Sequence, residues 1–292
     1  MKISILDIGM ALSVPVLWGM GFTFAKAGLG EFPPLFLMSM RFGLTALALC
    51  CFFPPPVGQW RALCLVALVS ATIQYGLTFT GLAGLDASTA VLLVQIEVPF
   101  GALLAAVFLN DRLGWQRTLG MLLALVGMGI IVGAPSLEGK LFPVGLVLGG
   151  GFTWALGQVM IKRIITITGF RLIAWLAVLA APQMLAASLV LEEGHWQAVK
   201  EATLIGWGSV IYMGLVMTAL GYGLWYHVLK KYHVNQVMPF LLLAPVSSIA
   251  GAVIFLGERP NLRTLVGGAL VICGVAGVVM IGQRMAGAKG PS

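Results

Sequence analysis

Residues Ala87 to Leu109 read ASTAVLLVQIEVPFGALLAAVFL. The stretch exceeds the roughly 20 apolar residues a helix needs to cross the hydrocarbon core of a bilayer. Its one ionisable side chain, Glu97, falls near the middle. A lone carboxyl group at that depth is costly, so it faces a cavity, a partner or a substrate path. Two residues on, Pro99 has no amide hydrogen to give the carbonyl of Gln95. The sequence therefore predicts a polar patch of Gln95, Glu97 and a freed backbone carbonyl inside a membrane-spanning helix.

The rest of the chain has the same character. Hydrophobic residues make up 60% and charged residues 9%, against about 25% charged in a soluble domain. Ten apolar runs approach bilayer length: Ile8–Ala27, Pro34–Phe53, Arg61–Leu82, Ala87–Leu109, Gln116–Gly133, Phe142–Ile161, Arg171–Leu191, Leu204–Leu229, Val234–Leu256 and Thr264–Gly282. The connections are short and polar, which predicts one all-α integral membrane domain over residues 1–292. The first run is long for a signal peptide, and its Pro15, Trp18 and Lys26 lead to no small-residue cleavage site, so it reads as an uncleaved helix. Cys50, Cys51, Cys64 and Cys273 lack metal-ligand spacing and read as reduced packing residues.

The net charge of +7 is a topology signal and not a mark of nucleic-acid binding. With the amino terminus in the cytoplasm, eleven of the 17 Lys and Arg fall inside and five outside, leaving Arg41 within a helix. That bias sets both termini inside. The outer loops take seven of the ten acids, among them Glu31, Glu192 and Glu258.

The chain also matches itself at a shift of 147 residues. Phe108-Leu109-Asn110-Asp111-Arg112 falls on Phe255-Leu256-Gly257-Glu258-Arg259, Gly120 on Gly267, Gly127 on Gly274, Tyr75-Gly76 on Tyr222-Gly223, and Phe79 on Tyr226. Pro99 lands one residue from Pro245, and the spacing of Trp18 and Lys26 recurs in Trp154 and Lys162. Each half, 1–135 and 136–292, holds five predicted helices, so the second enters the membrane from the opposite side. Inverted repeats of this kind let one fold open alternately to either face around a site near the midplane.

These motifs resemble the drug/metabolite transporter superfamily, specifically its ten-helix EamA-type exporters. The resemblance rests on Trp18-Gly19 with Lys26, on the Pro99 helix ending in Phe108 to Arg112, on Gly120 and Gly127, and on their echoes in the second half. It covers essentially the whole chain and is nearest to the YddG-type amino-acid exporters. Asn110-Asp111 stands where the family usually carries Gly-Glu. The resemblance implies export of amino acids, other metabolites or drugs.

Seven residues are the candidates for a central substrate cavity: Trp18, Tyr75, Gln95, Glu97, Trp154, Gln158 and Tyr222. Trp154, Gln158 and Lys162 recur every four residues and share one helical stripe, with Lys162 snorkelling at its end. An aromatic ring beside an amide suits a zwitterionic or aromatic solute; the alternative is an interfacial tryptophan. Tyr75 and Tyr222 are repeat-related and equally readable as core aromatics. Glu97 is the candidate for coupling protons or holding an ammonium group, or else a buried packing carboxyl. Arg41 reads as structural, snorkelling or paired with a carboxylate. Gly129/Gly133 and Gly145/Gly149 have the small-xxx-small spacing of close helix pairs, and Gly149-Gly150-Gly151 reads as packing or hinge.

No nucleotide-binding loop, metal-ligand spacing or catalytic triad appears in the sequence, so no cofactor, metal or enzyme activity is expected. The expectation is an exporter in the cytoplasmic (inner) membrane, working by alternating access on amino acids, aromatic or other neutral ones, and related metabolites. Drugs or other metabolites are the alternative cargo, and a channel-like or structural role the alternative class. Its partners are a small-molecule substrate, the lipid bilayer and, in the coupled version, protons. Ten helices with an internal two-fold can form a pathway as a monomer.

Overall fold

Proline and glycine mark where the helices of this computed structural model start and stop. Pro33 and Pro34 open the second helix, and Pro54 to Pro56 follow its end. Gly257, at φ 67°, turns the chain in a conformation that suits glycine. The structure describes residues 5–108, 114–167, 169–231, 240–241 and 243–288, and these are helical with no strand. Asn110, Asp111, Arg112 and His233 lie outside the described residues, as does the Tyr226 side chain.

The α-helices are α1 (Ile5–Gly28), α2 (Pro34–Leu49), α3 (Trp60–Ala67), α4 (Gln74–Ala83), α5 (Ala87–Val94), α6 (Glu97–Phe108), α7 (Trp115–Val132), α8 (Leu141–Ile164), α9 (Gly169–Leu191), α10 (His195–Glu201), α11 (Leu204–Ile211), α12 (Gly221–Lys231), α13 (Leu243–Leu256) and α14 (Leu262–Ala288). Two π-helical segments, Leu68–Ile73 and Tyr212–Leu220, join α3 to α4 and α11 to α12 into continuous rods. Among the described residues seven helices or rods are long and apolar enough to cross a membrane. Three shorter apolar helices, Thr118–Val132, Leu243–Leu256 and Leu262–Val278, fall on the fifth, ninth and tenth expected runs. Large apolar side chains such as Val190, Phe255 and Ile254 stand exposed, as a lipid-facing surface requires.

Pairing among the helices is orderly. α2 runs along α9, α7 along α14, α1 along α13, and α4 along α8, while α5 and α6 also lean on α8. The α7–α14 seam is backbone against backbone. A methyl group on Gly120 would sit 2.8 Å from the Gly274 carbonyl oxygen, and one on Gly274 2.6 Å from that of Gly120. Gly127 and Gly267 face each other in the same reciprocal way, each 2.6 Å from the other's oxygen by that measure. Gly150 and Gly151 in turn let α8 close on Thr78 and on the Ile96 side chain and Glu97 amide, so that run serves packing. The small-xxx-small expectation needs correction. Gly129 and Gly145 face open space, Gly133 meets only its own helix, and Gly149 makes one ordinary contact with Leu77. Spacing alone does not say which face of a helix meets a neighbour.

At the end of the bundle where α1 finishes, three glutamates fasten the amino termini of other helices. Glu258 accepts hydrogen bonds from the amides of Ala87 (2.6 Å) and Ser88 (3.0 Å) at the start of α5. Glu192 accepts from Leu35 (2.7 Å) and Phe36 (3.0 Å) at the start of α2. Glu31 accepts from the amide and the hydroxyl of Thr203, both at 2.6 Å, just ahead of α11. Each carboxylate satisfies amides that have no intrahelical partner and meets the positive end of a helix dipole. Hydrogen bonding to the Thr203 hydroxyl, helped by the Thr203 and Gly206 amides and opposed by partial burial, holds Glu31 below the usual carboxylate range. Lys26 closes the same end by donating to the carbonyls of Leu82 and Ala83, both at 3.0 Å.

Candidate functional site

The centre of the bundle is where its helices are least regular. α5 stops at Val94 and α6 starts at Glu97, with Gln95 and Ile96 in a tight turn between them. The Gln95 carbonyl is not free as expected, because the Val98 amide donates to it at 3.1 Å. Pro99 removes the donor four residues on, and the turn tightens by one residue so that the Val98 amide takes its place. The break still brings the Glu97 side chain to the edge of a cavity, and among the described residues no hydrogen bond or ion pair engages its carboxyl group.

That cavity has a volume of about 190 Å³ and is bordered by Trp18, Tyr75, Gln95, Glu97, Trp154 and Tyr222, together with Phe22, Arg41, Gln74, Thr78, Phe79 and Met217 among others. A second, of about 300 Å³, shares Arg41, Tyr75, Trp154 and Tyr222 and adds Gln158, Ser70, Thr218, Ile161, Gly169 and Leu172. The structure thus brings all seven sequence candidates to the walls of two adjoining cavities. Lys162 borders neither.

Aromatic contacts and polar tethers fix the walls. The Trp18 indole donates to the Met217 carbonyl at 3.1 Å, in the second π segment, and its ring lies 4.9 Å from Tyr222. Tyr75 stacks on Phe79 at 5.5 Å and meets the edge of Phe42 at 5.1 Å. Gln74, largely buried, gives its amide to Thr78 at 3.2 Å, and its own carbonyl oxygen has no partner. That oxygen is enclosed, so a modest turn of the side chain is needed before it can meet a solute in the cavity that Gln74 borders. The lining therefore offers rings for an apolar body, amides for hydrogen bonds, and one acid. Among the described residues no three His, Cys, Asp or Glu side chains cluster as a metal site requires.

Arg41 is the residue whose setting sequence reasoning misjudged. It is only 1% exposed and has no carboxylate partner among the described residues. Its Nε and Nη2 lie 3.4 and 3.2 Å from the Thr218 hydroxyl oxygen, and the guanidinium sits 4.8 Å from the Tyr75 ring centre and 5.4 Å from that of Phe42. The Thr218 hydroxyl donates to the Met213 carbonyl at 2.7 Å, which leaves its lone pairs for Arg41. Thr45 ties the same helix to the π segment through the Gly214 carbonyl at 2.9 Å. Cation–π contact worth about 2 kcal/mol when desolvated helps hold the charge in place. Thr218 and Met217 carried no signal in an apolar run; only the fold places them beside Arg41 and Trp18.

Comparison with known proteins fits this geometry. The profile of the EamA-like transporter family matches residues 6–133 and again 141–280. The chain belongs to that family, and so to the drug/metabolite transporter superfamily: it is a multi-pass membrane transporter. A Salmonella typhimurium protein named "Probable amino-acid metabolite efflux pump" is 31% identical over 91% of this chain and 92% of its own length. An Escherichia coli protein of the same name is 30% identical over the same shares. A "Probable terminal-alkyne amino-acid exporter" from Streptantibioticus cattleyicolor is 28% identical over 99% of this chain and 97% of its own. A solved crystal structure covering 96% of this chain and 98% of its own shares the fold at a TM-score of 0.65 and 17% identity.

Proposed function

We propose that this protein exports small organic solutes, foremost amino acids and related metabolites, across the cytoplasmic membrane by alternating access. The observation that carries the reading is the pair of adjoining cavities, where the broken α5–α6 helix, a π segment and aromatic residues from both halves of the chain converge. Trp18, Tyr75, Trp154 and Tyr222 would contact the solute body, and Gln95 and Gln158 its polar groups. Glu97 would hold its ammonium group or carry a coupling proton. The names of the relatives above favour an amino-acid cargo over a drug.

In this reading the chain crosses the membrane ten times as two inverted halves, 1–135 and 136–292, with both termini inside. The two separate profile matches support it. So do the reciprocal glycines of α7 and α14, and π segments that overlap at the 147-residue shift. The three glutamate fastenings then lie on the outer side, and the second cavity extends toward the inner ends of α8 and α9, at Ile161 and Gly169. The arrangement is that of a carrier closed to the outside, and one chain suffices for it.

The test is counterflow of labelled amino acids, an aromatic one included, in liposomes holding only the purified protein. Saturable uptake stimulated by unlabelled solute on the far side is expected. No movement of any amino acid by folded protein would remove the amino-acid assignment, and linear unsaturable flux would turn the reading toward a channel.

A further inference from the structure

We infer that Arg41 is a specificity-determining residue that receives a carboxylate group of the transported solute. The inference rests on the amino-acid reading of the same cavity and adds its second pole.

A guanidinium has five N–H donors. Thr218 takes those of Nε and one edge of Nη2, and Nη1 meets only the Met38 sulfur at 3.9 Å. Of the two edges that can pair with a carboxylate through two parallel hydrogen bonds, Thr218 occupies Nε–Nη2, and the Nη1–Nη2 edge has no oxygen acceptor beyond it. Arg41 borders both cavities. Buried charges are ordinarily paired, and no acid among the described residues pairs with this one. The rings of Tyr75 and Phe42 and the Thr218 oxygen hold the guanidinium without neutralising it. Gln74, which borders the first cavity, adds an amide whose oxygen also has no hydrogen-bond partner. Glu97 borders that cavity too, so the walls present a cation and an acid to one small solute. A zwitterion matches both; an amine, an ester or an amide matches only the acid.

The experiment uses the purified full-length protein and three probes: phenylalanine, phenylalaninamide, which lacks the carboxylate, and N-acetylphenylalanine, which keeps it and lacks the ammonium group. Each is tested for competition with labelled phenylalanine in counterflow and for protection against thermal unfolding. The amide is expected to bind at least about 30-fold more weakly than phenylalanine. Arg41→Gln should bring phenylalanine down to the level of the amide and leave the amide unchanged. Arg41→Lys, which keeps the charge, and Thr218→Val, which frees the guanidinium, should narrow the same gap; they decide the matter if Arg41→Gln does not fold. An amide that competes as well as phenylalanine overturns the inference while leaving amino-acid transport intact. So does an Arg41 variant that weakens both probes alike. If the wild-type protein moves no amino acid, N-acetylphenylalanine decides: Arg41-dependent protection keeps the carboxylate site and discards only the amino-acid reading, and no protection discards both.

Discussion

Gly127→Ala tests the packing on which the fold depends. The new methyl group would lie 2.6 Å from the Gly267 carbonyl oxygen and 2.8 Å from the Val271 amide nitrogen, both backbone atoms that no rotamer change can move. Ordinary contact begins at 3.4 Å, so α7 and α14 must separate locally by about 0.8 Å, the difference from 2.6 Å. Overpacking of that kind costs about 1–3 kcal/mol. Alanine returns roughly 0.5–1 kcal/mol through its better helix propensity. Gly129→Ala, two residues away on the same helix, meets nothing within 4 Å and keeps only the gain. The two variants should therefore differ by about 1–3 kcal/mol, with Gly127→Ala the weaker, in denaturant titrations of the purified protein in one detergent. Neither helix borders either of the two central cavities, so the affinity for solute should be the same in both. Equal stability of the two variants would refute the close approach of these backbones.

Four further outcomes are expected. Glu97→Gln should abolish any pH dependence of transport and leave the protein folded; pH-dependent flux that survives the change would remove Glu97 as the coupling group. Trp18→Phe loses the hydrogen bond to the Met217 carbonyl, worth about 0.5–1.5 kcal/mol, and should weaken solute affinity in counterflow by roughly twofold to tenfold; unchanged affinity would take Trp18 out of the site. Glu258→Ala leaves the buried Ala87 and Ser88 amides unsatisfied and should lower stability by about 1–3 kcal/mol, read by thermal denaturation; an unchanged melting temperature would show the fastening to be idle. Because hydrogen bonding holds Glu31 below the usual carboxylate range, its fastening is fully present above the unfolded pKa and is lost as the pH falls through the lowered folded value. Acid should therefore narrow the stability gap between the wild-type protein and Glu31→Gln; a gap constant from neutral pH to strong acid would contradict it.

Much of the architecture was legible because lipid imposes a coarse rule. Apolar runs near bilayer length mark helices, and rare polar or aromatic residues at depth mark an interior. That is how Glu97, Gln95 and Trp154 could be named before their surroundings were known. Arg41 was harder, since its distance along a helix suggested snorkelling. What buries it is Thr218 and Tyr75, far away in sequence. The π segments left no trace either, because Leu68–Ile73 and Tyr212–Leu220 are ordinary apolar sequence whose backbone pairing is decided by the helices beside them. Gly129 and Gly133 show the reverse failure: their spacing suited a close contact, and their face did not.

The seam between α7 and α14 has a practical use. Its four glycines leave no slack, its helices stand clear of the cavities, and the outward side chains of Leu122, Val126, Leu265 and Val266 are exposed. Probes attached there would ride on a fixed post. A pair spanning the seam should keep one distance with or without solute, while a pair spanning the cavities reports the cycle. The protein thus carries its own fiducial mark, against which every other displacement in the membrane can be measured.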